Sequence, residues 1–179
     1  WIAKMDTYMQ RVMDYSSASG DISWRKNILL PVSYVFSGVD PSGFGEAIKQ
    51  ELALPAGWGS HEMYQYGAVW GPTYYAPDEE LRGRNPDGTR RWVSGDNPPQ
   101  SDLFERWSVT PFGMVVWASH GGPEDECRVG EFGQGSHDAF QFRTAFLSDA
   151  DVPALNPAYP SFTFQGACRT ASPDPTRLG

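Results

Sequence analysis

The stretch "FGMVVWASHGG" (112–122) decides how this chain is read. Within it, "GMVVWAS" (113–119) is an uninterrupted apolar run, the pattern of a strand buried on both faces of a parallel sheet. The run ends in Ser119, His120, Gly121 and Gly122. A buried strand stops at a turn, and a turn needs only Gly or Asn. His120 is therefore either a turn residue or a reactive group delivered at a strand end. The neighbouring segments discriminate between these readings.

A second apolar segment, "PSFTFQGAC" (160–168), ends in the same way at Cys168. "KNILLPVSYVF" (26–36) reads as another buried strand, in which Pro31 imposes a kink or bulge. "HEMYQYGAV" (61–69) alternates as a strand does. Helical patterns lie between. Ile2, Met5, Met9, Val12 and Met13 are spaced for a helix over about 2–15, and "FGEAIKQELAL" (44–54) for a short amphipathic helix closed by "PAG". "SDLFERW" (101–107) opens with a Ser or Asp suited to capping a short helix. "GPEDECRVGEFGQGSHD" reads as loop, and "FRTAFLSDADVPALN" (142–156) as a segment leading into a short helix. Residues 71–100 are polar and rich in Pro, Gly, Asp and Arg, so a long insertion is expected there, either a flap or an exposed loop. Alternating strands and helices predict an α/β fold: a three-layer α/β/α sandwich with a mainly parallel sheet. One domain over 1–179 accommodates it.

Composition bounds the function. The chain has 179 residues, 40% of them apolar, which suits a globular core. Its formal charge of −8 repels phosphate backbones, so nucleic acid is not an expected partner, whereas basic peptides are attracted. No apolar run approaches the roughly 20 residues that cross a bilayer, so no membrane partner is expected. The chain opens at Trp1, and it is expected to be a piece excised from a longer protein. Two cysteines, Cys127 and Cys168, are too few for a disulfide framework. They form one bridge, or one of them is a nucleophile.

In open parallel sheets, ligands bind at the carboxyl ends of the strands, so His120 and Cys168 are expected on one edge. If their strands are neighbours, about 4.8 Å apart, thiol and imidazole come within catalytic reach. A cysteine needs a base or a lowered pKa to attack, and histidine titrates near neutrality. Gly121 and Gly122 let backbone N–H groups approach a carbonyl closely, forming an oxyanion hole with the N–H of Cys168.

On these residues the chain resembles the caspase-like cysteine peptidases, in particular the gingipain-type peptidases of bacteria. The resemblance is carried by "WRKNILLPVSYVF", "PFGMVVWASHGG", "AFLSDADVPALN", "PSFTFQGAC" and "ACRTASPDPTRLG", within 24–54 and 101–179. It implies that Cys168 attacks the scissile carbonyl, that His120 protonates the leaving amine, and that Gly121 contributes to the oxyanion hole. It also implies cleavage after Arg or Lys, a peptide or protein substrate, no required cofactor, and a secreted or cell-surface location. The sequence departs from the family pattern in three places. The interval from His120 to Cys168 is long, and loop 123–141 is expected to hold the excess. The chain ends at Gly179, soon after Cys168, so the remaining C-terminal part of the domain is an expected partner. The acid that supports the histidine is not evident, and Glu62 is the candidate.

Other residues carry competing readings. Cys127 lies among acids in "GPEDECRVGE", which raise a thiol's pKa and suit a structural or free cysteine, with a bridge to Cys168 as the alternative. A zinc site from His120, His137, Cys127 and Cys168 matches no familiar spacing, and His61 has no ligand-like neighbour in sequence. "PDEEL" (77–81) and "PEDE" (123–126) read as solvated loops, or as hard-oxygen donors to a structural Ca²⁺. Arg82, Arg84, Arg90 and Arg91 lie in the insertion, where a peptidase specific for basic residues would cut itself. A catalytically inactive caspase-like binding or regulatory module, a metal-binding domain, and another acyl-transfer enzyme with the same dyad are the rival functions.

Overall fold

A computed structural model describes residues 2–17, 19–33, 42–65, 75–83, 98–121, 127–132, 140–147 and 151–166. Helix α1 (Ile2–Ser17) is followed by a 3₁₀ turn at Ser23–Lys26 and then by strand β1 (Asn27–Val32). Helix α2 (Ser42–Ile48) continues as a π-helical turn, Lys49–Ala53, into β2 (Gly59–Tyr64). Strands β3 (Glu79–Leu81) and β4 (Gln100–Ser101) precede α3 (Leu103–Val109) and β5 (Met114–Ala118). Strands β6 (His120–Gly121), β7 (Cys127–Phe132) and β8 (Phe140–Leu147) follow, and β9 (Phe162–Gly166) comes after them.

Six strands form one sheet in the order β4-β3-β2-β1-β5-β9, and every pairing in it is parallel. Strands β6, β7 and β8 form a separate antiparallel sheet between β5 and β9 in sequence. The fold is α/β with a mainly parallel sheet, as the alternation of elements predicts.

Strand β1 is central because it can bury side chains in both directions. Leu29, Leu30 and Val32 are fully buried. Successive strand residues point to opposite faces. Ile28, Leu30 and Val32 accordingly cluster with Tyr64, Val116 and Ala53, against which Ile48 of α2 packs. Leu29 clusters with Met63, Leu81, Val115 and Trp117 on the other face, with Leu103, Phe104 and Trp107 of α3. Burying each Leu or Val stabilises the fold by about 1.5–3 kcal/mol, so β1 and β5 anchor both faces.

The proline expected to disturb β1 does not. Pro31 introduces no bulge: β1 pairs with β5 as Ile28↔Met114, Leu29↔Val115 and Val32↔Ala118, with the register unchanged on either side of the proline. The proline has no N–H to give to β5, and that ladder is registered at 28, 29 and 32 but not at 30 or 31. The ladder resumes with the Ser33 N–H donating to the Ala118 carbonyl at 2.9 Å. Gly113, just before β5, lies against the Arg25 backbone, and a Cβ there would overlap that chain. This crossing requires glycine.

The apolar pattern hides other elements. The polar stretch 71–100 is partly sheet, since β3 lies in it and β4 begins at its last residue. The acids Glu79 and Glu80 in "PDEEL" are buried in β3, not solvated. β7 runs through the segment expected to be loop, and β8 takes up the first part of 142–156, leaving only a 3₁₀ turn at Val152–Ala154. Asp102 caps α3 as expected, its carboxylate accepting the Glu105 N–H at 2.6 Å.

Candidate active site at the carboxyl edge of the sheet

From β1 the chain steps outward to β4 and then returns to the opposite flank of β1 as β5. The strand order therefore reverses between β1 and β5, the place where open parallel sheets form a ligand crevice. One rung crosses four strands at that edge: Tyr64, Val32, Ala118 and Gly166. The next positions are polar. Ser33, Gln65 and Ser119 are all buried, and their N–H groups donate to Ala118, Val32 and Gly166 respectively at 2.9, 2.9 and 3.1 Å. By strand alternation these side chains share the α3 face with Trp117. The Trp117 indole N–H is buried without an acceptor among the described residues. Sequence reasoning missed this polar rung: a polar residue follows each apolar strand in "LLPVS", "EMYQ" and "VVWAS", but only the strand register sets the three side by side.

His120 is the residue at which the chain leaves the parallel sheet. It opens β6, paired with Arg128 of β7, and Gly121 is paired with Cys127. Apolar β5 thus runs into Ser-His-Gly because the chain changes sheets there. Cys168 lies outside the described residues. So do Gly122, His137, Arg84, Arg90, Arg91 and the "PEDE" acids, and of the Cys127 side chain nothing is described. β9 pairs with β5 from Met114↔Phe162 to Ala118↔Gly166, and the register holds without a shift along the whole of both strands. In sequence, His120 lies two residues beyond Ala118 and Cys168 two residues beyond Gly166.

Glu62 sits in β2, two strands from β5, and two residues before the Tyr64 rung, whereas His120 is two residues beyond that rung. Its carboxylate is held by Lys49 at 3.0 Å, and burial raises its pKa. Burial opposes the Lys49 charge, but Glu62 and Glu46 outweigh it and the ammonium pKa rises. Tyr64 donates to Glu46 at 3.2 Å, and burial with these carboxylates pushes its phenol pKa upward. Gly45 lies so close to the Tyr64 ring that a Cβ there would overlap it, so α2 is seated on this tyrosine.

On the α3 face, Arg106 grips Glu79 through two hydrogen bonds, at 2.7 and 2.8 Å. His61 lies 3.2 Å from the same carboxylate and 3.8 Å from Asp78. Burial alone would raise the Glu79 pKa, but His61, Arg106 and Ser101 bring it down to about 2. Glu80 is engaged by Gln100 and Arg82. Arg82, the one self-cleavage candidate among the described residues, also has its N–H bonded to the Ser101 carbonyl at 2.9 Å. Among the described residues no three His, Cys, Asp or Glu side chains form a metal-holding group, and no helix is long and apolar enough to cross a membrane.

Comparison with protein-family models, curated proteins and solved structures returned no match.

Proposed function

We propose that this protein is a caspase-like cysteine endopeptidase acting through His120 and Cys168, with a complete three-layer sandwich as its fold. The observation that carries the reading is the β5–β9 register. The ladder pairs Ala118 with Gly166 beside the β1–β5 crevice, and His120 and Cys168 each follow two residues further along in sequence, which supports bringing the two side chains to that edge. Adjacent strands are about 4.8 Å apart, within reach of an imidazole and a thiol.

In this mechanism His120 takes the Cys168 proton, and the thiolate adds to the scissile carbonyl. Backbone N–H groups at Gly121 and Cys168 steady the resulting oxyanion. The imidazolium returns the proton to the leaving amine as the C–N bond breaks, leaving an acyl-enzyme thioester. Water, deprotonated by the same imidazole, releases the acid and restores the thiol. The chemistry calls for no metal or organic cofactor. Preference for Arg or Lys before the cut and a secreted or cell-surface location follow from the family resemblance, and with that preference self-cleavage falls at Arg82, Arg84, Arg90 or Arg91. Glu62, already paired with Lys49, is not assigned a part in the dyad.

A fluorogenic peptide panel with Arg, Lys, Asp and Leu before the reporter tests the proposal on wild type beside Cys168→Ala. Basic peptides are expected to be cleaved, and the substitution to reduce the rate by roughly 10³-fold or more. Activity that survives Cys168→Ala overturns the assignment.

A further inference from the structure

At the opposite, amino ends of β5 and β9 lies a cavity of about 690 Å³, within the size range of small-molecule sites. We propose that it binds a small amphipathic carboxylic acid whose body is aromatic or aliphatic. Four rings line it: Tyr15 of α1, Trp107 of α3, and Tyr159 and Phe162 of the segment entering β9. Pro111, Pro153, Pro157 and Pro160 complete much of the wall, and their fixed φ angles make it stiff.

The cavity is also built before any ligand arrives. The Trp107 indole donates to the Ser161 hydroxyl at 3.1 Å, which donates to the Phe112 carbonyl at 2.6 Å. Tyr15 meets Phe162 edge-on at 4.8 Å and Trp24 at 5.7 Å, and Trp24 meets Tyr159 at 5.5 Å. Yet Tyr159 and Phe162 remain 40% and 52% exposed, which leaves their rings accessible to a ligand.

Charge selects the head group. Aromatic pockets that take cations offer open ring faces. Here the guanidinium of Arg25 already lies over the Tyr15 ring, 4.3 Å from its centre, and also bonds the Tyr15 carbonyl. None of the described lining residues is acidic, and the only charged one is Arg11. Arg11 has no ion-pair partner among the described residues, in a chain whose formal charge is −8. A planar guanidinium at the rim of an apolar box suits a carboxylate. The length of β5, about 16 Å, separates this cavity from the carboxyl edge, so the inference does not depend on peptidase activity.

Titration calorimetry of the full chain with 4-phenylbutyrate, 4-phenylbutylamine and 4-phenylbutanol tests it. The acid is expected to bind at least about tenfold more tightly than the amine, with the alcohol between them. Arg11→Gln, on an exposed helix position, is expected to weaken the acid about tenfold and leave the alcohol unchanged. Tyr159→Ala should weaken both, and Cys168→Ala neither. Circular dichroism confirms that each variant is folded. Equal affinity for acid and amine, no binding of the acid at millimolar concentration, or an Arg11→Gln variant that binds the acid like wild type overturns the proposal.

Discussion

Strands β3 and β9 lie near opposite ends of the same sheet and reverse the usual relation between hydropathy and burial. β3 is "EEL", two carboxylates beside a single leucine, and every residue in it is buried. β9 is "FTFQG", with two phenylalanines and no charge, and every residue in it is exposed. Position and partners account for the inversion. β3 is flanked by β2 and β4, and its carboxylates meet Arg106, His61, Gln100 and Arg82. A buried charge is tolerated when it is paired and hydrogen-bonded. β9 pairs with β5 on one side and with no strand on the other among the described residues. Burial in this sheet follows what surrounds a strand more than what the strand is made of.

Removing the partner of the buried charge is the largest perturbation of that contrast. Arg106→Ala should cost about 3 kcal/mol, read from the urea midpoint, because the buried Glu79 loses its guanidinium and keeps only His61 and Ser101 beside it. A loss below about 1 kcal/mol would make the pair an ordinary surface one. The same carboxylate sets a pH signature. Glu79 is held down to about 2 in the folded protein, against about 4.5 when unfolded. Its stabilising contribution is therefore complete above about 4.5 and lost as pH falls through about 2. Glu79→Gln should flatten the stability curve over that interval, and an unchanged curve would contradict the depressed pKa. Glu62, raised by burial, works in the opposite sense: its contribution is present at low pH and is lost as pH rises through its folded pKa.

Smaller effects sharpen the contrast further. Asp102→Ala removes the cap of α3, the helix that carries Arg106, and should cost about 1 kcal/mol in the same assay. Phe164→Ser, at a position 64% exposed, should change stability by less than about 0.5 kcal/mol. A large loss at Phe164 would mean that β9 is covered in solution, and the contrast with β3 would vanish.

The apolar strands β1, β5 and β9 and the capped helix α3 are legible in the sequence because each carries its own local signal. β3 is not, because the acids of "EEL" are buried against partners such as Arg106, His61 and Gln100, which lie far from them in sequence. β7 and β8 escape a local reading because the loop-forming Gly and Asp residues around them mask the strand alternation in "FQFRTAFL". Of the candidate site, the two strand ends and their common edge can be read from the apolar runs. The polar rung of Ser33, Gln65 and Ser119 cannot, because it exists only once the register of the strands is known.

The most direct test is the rate at which iodoacetamide alkylates Cys168 between pH 5 and 9, in wild type and in His120→Ala. Adjacent imidazole and thiol predict fast labelling of Cys168 below about pH 7, at least about tenfold faster than at Cys127, and loss of that advantage in the variant. If Cys168 instead follows an ordinary thiol profile centred near about pH 8.5 and ignores the loss of His120, the two groups do not face one another and the account is wrong.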